Sequence, residues 1–219
     1  MNIKYNKKKQ ESREDPVIDG IFKTKEFFEK NSRNLIVFIV LIIIVTGGIS
    51  GFNYYKKSQQ IKARESFGKA MVAYSTKNFD DAIDQFRLTS ETFKGTITGT
   101  TSAYMLGSIL FQQKQLDEAI TWYESVINGH DAGFVTGQAF EGLASCYELK
   151  KDTASALKYF ESALNDGRID YRRNALRWKI ALLSRKSDVT RAKKLCEEII
   201  ADTLAQDYRL NAEYLLATL

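Results

Sequence analysis

Three alanines, Ala82, Ala119 and Ala156, stand 37 and 37 residues apart, and each lies in the same neighbourhood of residues. The first neighbourhood runs Ala70…Tyr74…Phe79-Asp80-Asp81-Ala82-Ile83…Phe86. The second runs Leu106-Gly107…Phe111…Leu116-Asp117-Glu118-Ala119-Ile120…Tyr123. The third runs Phe140…Leu143-Ala144…Tyr147…Ala156-Leu157…Phe160…Ala163-Leu164. A fourth, weaker copy extends from Asp170 to Thr203, with Ala192 a further 36 residues on and Cys196 where the aromatic stood. Such self-similarity constrains the fold more than composition does, because a repeated unit has to stack on its own copies. The apolar spacing within each unit is helical and predicts two antiparallel helices per unit. Gly107, Ala144 and the three spaced alanines belong where the two helices cross closely, and Phe86, Tyr123 and Phe160 fill the wider gaps. Asp80-Asp81 and Asp117-Glu118 recur at one repeat position, where the helix dipole favours acids at a helix start; they are not read as acid–base dyads. The single Pro of the chain lies outside the repeats, as an all-α fold requires.

A second feature precedes the repeats. From Asn34 to Tyr55 no residue is charged, and Leu35–Val45 is Leu, Ile, Val and Phe throughout. About 20 apolar residues cross a bilayer as a helix. Arg33 bounds the run on one side and Lys56 and Lys57 on the other, while Phe52, Tyr54 and Tyr55 suit an interfacial aromatic belt. A cleaved signal peptide is disfavoured, because the run is long and no A-x-A site follows it. Gly47 and Gly51 form a G-x-x-x-G, either a chance match or a helix-packing site. The predicted organisation is therefore a basic tail over 1–33, a transmembrane helix over 34–55 and a repeat domain over 56–219. The repeats are placed at about 63–97, 100–134, 137–170 and 171–204, with a capping helix over 205–219. Linkers are expected at Gly95–Thr101, Asn128–Gly137 and Asn165–Asp170. With no Pro between Leu35 and Ser75, the membrane helix is expected to run on into the first repeat. Within the tail, Asp15-Pro16 marks a turn, and Ile18, Ile21, Phe22 and Phe28 suit a short interfacial helix.

Charge separates along the chain. Residues 1–57 hold 11 Lys/Arg against 6 Asp/Glu, a net of +5, whereas residues 58–219 hold 21 of each. A neutral repeat domain argues against nucleic acid as partner, and the tail's excess suits anionic lipid headgroups. The tail's nine Lys/Arg favour its retention in the cytoplasm, although Lys56, Lys57, Lys62, Arg64 and Lys69 nearly balance them on the far flank. A short basic tail resists translocation more than a long domain does, so the expected topology is tail in, domain out.

The run Leu106-Gly107…Phe111…Leu116-Asp117-Glu118-Ala119-Ile120…Tyr123 resembles a tetratricopeptide repeat. The resemblance covers roughly residues 63–203 and implies an all-α solenoid of about three to four helix pairs plus the C-terminal cap. In that family the first helix of each pair lines a concave surface that binds proteins. Carried over, this implies Phe67, Met71 and Tyr74 in the first repeat, Tyr104, Ser108 and Phe111 in the second, and Glu141, Ser145 and Glu148 in the third. The lining is thus aromatic with a Met near the anchor and carboxylate further out, although Tyr74 and Phe111 also suit packing between helices. Family members that clamp a chaperone's C-terminal carboxylate carry an Asn where this chain has Met71, Ser108 and Ser145, so that use is not implied.

Nothing in the sequence assembles a catalytic or cofactor site. His130, the single histidine, sits beside Gly129 and Asp131 in a linker, and Gly95 and Gly99 lack the ending of a phosphate loop. Cys146 and Cys196 fall in helical patterns as small core residues, not as a disulfide framework. No cofactor, metal, nucleic acid or small-molecule substrate is expected. The basic tail, the Phe27-Phe28-Glu29-Lys30-Asn31 preface, the single span and the degenerate repeats together resemble the bacterial ancillary SecYEG translocon subunit family. That resemblance implies a non-enzymatic, chaperone-like scaffold in the inner membrane with its repeats in the periplasm, partnered by translocon subunits or a membrane-anchored chaperone. Two alternatives remain: a membrane-tethered cytosolic adaptor, and an assembly factor for a cell-envelope complex.

Overall fold

A computed structural model describes the backbone from Pro16 to Leu219, and the side chains of Lys25 and residues 29–219. The tail before Pro16 and the side chains of Ile18, Ile21, Phe22 and Phe28 lie outside the described residues. The chain divides into two compact units, Met1–Tyr55 and Lys56–Leu219.

In the first unit the described backbone belongs to α1 (Pro16–Ser75). The apolar side chains from Ile36 to Val45 stand exposed, Ile44 at 63%. Thr46 satisfies its hydroxyl inside the helix by donating to the Ile42 carbonyl at 2.7 Å. The helix is long and apolar enough to cross a membrane, a property that signal sequences share.

In the second unit the end of α1 pairs with α2 (Phe79–Thr92), and three further pairs follow. They are α3 (Ile97–Gln112) with α4 (Leu116–Ile127), α5 (Phe134–Leu149) with α6 (Thr153–Asn165), and α7 (Arg173–Ser184) with α8 (Val189–Ala201). The last helix, α9 (Gln206–Thr218), packs its Ala212 and Leu215 against the fourth pair. The degenerate fourth copy is thus a full helix pair. No strand occurs among the described residues.

The small residues sit where the spacing put them. Ala82, Ala119, Ala156 and Ala192 are fully buried, as are Phe86 and Phe160. At Gly107 an added Cβ would lie 3.1 Å from the Tyr123 ring, so glycine sets the approach of α3 and α4. Two clusters fill the interior. One gathers Ala70, Phe86, Leu106, Leu110 and Leu143; the other gathers Ala144, Phe160, Leu176, Ile180 and Ile199. Tyr147 and Tyr159 border both clusters, their rings stacked at 5.5 Å.

The turns inside the first three pairs repeat as closely as the helices do. Lys77, Lys114 and Lys151, again 37 apart, each take positive φ (61, 65 and 63°). The amide after each reaches back five residues, as from Asn78 to the Ala73 carbonyl at 3.0 Å, and closes the first helix. Asn78 and Asp152 then cap the second helix through their side chains.

Two linkers are shorter than the sequence predicts. Helix α3 begins at Ile97 and α5 at Phe134, so residues 97–101 and 134–137 are first turns of helices. Thr96 caps α3 through the Gly99 amide at 3.0 Å, and the hydroxyls of Thr100 and Thr101 donate to carbonyls four residues back. Those local bonds let a Thr- and Gly-rich stretch coil. The third linker tightens into a 3-10 helix, Gly167–Arg172, that buries Ile169.

Candidate functional site

All nine residues assigned to the concave lining are half-buried. They do not share one environment. Phe67, Met71 and Tyr74 pack on the first core cluster, Phe67 with its ring 5.5 Å from Phe86 and Tyr74 with its ring 5.8 Å from Phe79. Tyr104, Phe111, Glu141 and Ser145 converge on a cavity of about 350 Å³, which Tyr123, Gln138, Gly142, Tyr171 and Arg172 complete. Ser108 supports this cavity from behind: it accepts the Tyr123 hydroxyl at 3.2 Å and donates to the Tyr104 carbonyl at 2.9 Å.

The floor is aromatic. The Tyr104 and Tyr123 rings lie 5.9 Å apart, and Gly142 lets the Tyr123 ring rest on α5, since a Cβ there would come within 2.6 Å of it. Burial raises the pKa of both phenols above the ordinary 10.0, so each remains a neutral hydrogen-bonding group. At the rim Gln138 donates its amide to the Tyr171 hydroxyl at 2.8 Å.

The carboxylates further out are not a free acidic surface. Glu141 holds Arg172 in a two-pronged pair, Nε at 3.1 Å from one oxygen and Nη2 on the other, and this hydrogen bond raises the arginine pKa. Glu148 binds the Lys179 ammonium at 2.9 Å. Each acid of α5 is thereby matched by a cation 31 residues on. The outer groove is polar but charge-balanced where an acidic patch was expected.

Sequence reasoning missed Tyr171, Arg172 and Lys179, because they lie in or just after the stretch read as a linker and a degenerate repeat. A periodic signal was present for Tyr171: Ile97, Phe134 and Tyr171 stand 37 apart, and all three are exposed. Two further cavities open on the domain. One, of about 320 Å³, lies between the end of α2, the first half of α3 and the end of α4, with Trp122 and His130 in its wall. The other, of about 500 Å³, lies between α7 and α9 beside Trp178 and Tyr214.

Paired helices at a constant period, small residues at the crossings and a lined groove define a helical-repeat interaction protein. The family model of the tetratricopeptide repeat-like domain matches residues 25–210, and the chain belongs to that family. A comparison with curated proteins gives no match. Domains of this family bind other proteins or peptides and are in general not enzymes, and this one is a protein-interaction scaffold.

Proposed function

We propose that the chain is a membrane-anchored, non-enzymatic scaffold that holds extended apolar segments of client proteins at the Sec translocon, on the periplasmic side. The observation that carries the reading is the aromatic cavity between α3, α5 and the 3-10 helix. Tyr104, Phe111, Tyr123 and Tyr171 offer ring faces to apolar side chains, and Gln138 and Ser145 offer hydrogen bonds to an extended backbone. Phe67, Met71 and Tyr74 add apolar lining from the first repeat, while Ser108, Glu141 and Glu148 hold neighbouring side chains in place through their bonds.

The uncharged run from Asn34 to Tyr55 supports the anchor, and the nine Lys/Arg before it support a cytoplasmic N-terminus. At Gly47 and Gly51 an added Cβ would meet no atom of the chain within 4 Å, which leaves both free to admit a neighbouring span. The tail–span–repeat organisation supports the translocon as its location. A cytosolic adaptor is the second reading, and the five cations from Lys56 to Lys69 favour it.

A photo-crosslinker in place of Tyr171 in the full chain, in cells, is expected to capture translocon subunits or emerging clients. Recovery of cytosolic proteins alone would exclude the periplasmic reading. Tyr104→Ser with Phe111→Ser should reduce that capture about tenfold or more, as loss of two aromatic anchors does at other interfaces. Undiminished capture by the folded double variant removes the groove from the reading.

A further inference from the structure

The 37-residue period identifies a surface that the domain leaves uncovered. On α3 the positions Ser102, Met105 and Ile109 are fully or half buried by stacking on the preceding pair, Ile109 at 1% exposed. On α5 the same positions are Ala139, Gly142 and Cys146, two of them fully buried and Gly142 under the Tyr123 ring. On α1 they are Glu65, Gly68 and Val72. These belong to the first pair, which has no pair before it among the described residues; Val72 stands 64% exposed, and Ile61, three turns earlier on the same helix, and Leu88 on α2 are exposed as well. Gly68 has no atom within 4 Å of where a Cβ would lie, and its φ is not positive. Glycine inside a helix costs about 1 kcal/mol relative to alanine, and no close neighbour among the described residues explains it here. Its counterpart, Gly142, exists to admit a ring from a neighbouring pair.

Charge on this end face is divided between its two helices. The exposed side of α1 carries Lys62, Arg64 and Lys69 against Glu65, whereas the outer side of α2 carries Asp81 and Asp84, whose counterparts Glu118 and Thr121 face the preceding pair. Position 81 corresponds to Glu118, which takes Arg87 from the pair before it at 3.7 Å. Asp81 has no such pair before it. A surface with one basic and one acidic strip side by side complements itself across a two-fold axis, which sets α1 of one copy on α2 of the other.

We propose that a second copy of this chain covers the outer face of the first helix pair, forming a two-fold dimer centred on Ile61, Gly68, Val72 and Leu88, with the cations of each α1 facing the carboxylates of the other α2. This surface is separate from the aromatic groove, and the inference stands whether or not the groove holds clients.

The test is the mass of the full chain in detergent micelles, corrected for bound detergent, together with cross-linking of a Val72→Cys variant in membranes. The wild type should show twice 24.9 kDa, and Val72→Cys should join to itself under mild oxidation. Gly68→Arg should return the monomer mass; because the space is open and glycine is a poor helix former, its helix content should equal or exceed that of the wild type. Lys62→Asp and Asp84→Lys should each weaken the dimer about tenfold, and their combination within one chain should restore it. A monomeric wild type overturns the proposal, as does a dimer that survives Gly68→Arg but is lost on Gly47→Ile with Gly51→Ile. A mass that grows past twofold with concentration would mean head-to-tail stacking and also overturns it. So does a monomer whose Lys62→Asp variant loses affinity for anionic vesicles, which would assign the cations to lipid.

Discussion

The two halves of the repeat domain fill one helical register with different chemistry. From α1 to α4 the joins between helices are mostly aromatic and hydroxylic: Phe67 on Phe86, Tyr74 on Phe79, Tyr104 on Tyr123, and Ser66 bonded to Thr89 at 2.6 Å. From α5 to α8 they are largely ionic. Glu141 holds Arg172, Glu148 holds Lys179, Arg177 reaches Glu198 at 3.1 Å, and Arg168 ties Asp166 to Asp131 across two linkers. Ring packing is indifferent to pH and salt, whereas partly exposed ion pairs are sensitive to both. The comparison teaches that a repeat can conserve its geometry while changing what makes it respond to its surroundings. The aromatic cavity lies where the two chemistries meet.

The largest expected effect breaks each half in turn. Phe86→Ala and Phe160→Ala should each cost about 3–5 kcal/mol, since both rings are fully buried. Hydrogen exchange on the full chain should show the lost protection concentrated in the half that carries the substitution, because each repeat touches only its neighbours. Next, Gly142→Ala pushes a methyl group against the Tyr123 ring. It should cost about 1–3 kcal/mol in denaturant unfolding and weaken peptide capture together.

Acid should separate the halves without mutation. Asp131 is held below the ordinary carboxylate pKa of 3.8 by the Gly133 amide, Asp152 by Ser155, Asp166 by Arg168 and Asp202 by Asn174. A depressed folded-state pKa gives stability that is fully present above 3.8 and is lost as pH falls through the folded value. All four residues lie between positions 131 and 202, so exchange measured below pH 3.8 should rise from α5 onward before it rises in α2 to α4. The smallest effect provides the control. Lys77→Gly, Lys114→Gly and Lys151→Gly each relieve a left-handed backbone, and each should gain about 0.5–1 kcal/mol regardless of half. A gain confined to one half would mean that the turns are not equivalent.

Much of this was legible because it follows from spacing. The alanines at 82, 119 and 156 dictated the helix crossings, and their aromatics dictated the core. What spacing could not deliver was complementarity between repeats. Glu141 and Glu148 read as a bare acidic strip because their partners, Arg172 and Lys179, lie in the copy whose motif has decayed. The Thr-rich run before Thr101 read as a linker because its composition signals a loop, while the back-bonding of its hydroxyls is a matter of geometry. Tyr171 escaped for a related reason: it belongs to a row at the helix starts, outside the small-and-large positions that define the repeat. Of the residues lining this cavity, the sequence pointed to Tyr104, Phe111, Glu141 and Ser145 and not to the far wall.

The two cysteines carry a practical consequence. Both thiols are enclosed, and burial pushes that of Cys146 up to about 11 and that of Cys196 above its usual value. Thiolate, the form that reacts, is scarce at either site while the helices stay closed. Alkylation of the native chain therefore has to wait for α5 or α8 to open. Two labelling rates, resolved by peptide mass, would act as clocks fixed in the third and fourth repeats, timing the breathing of the solenoid in the full chain with no residue changed.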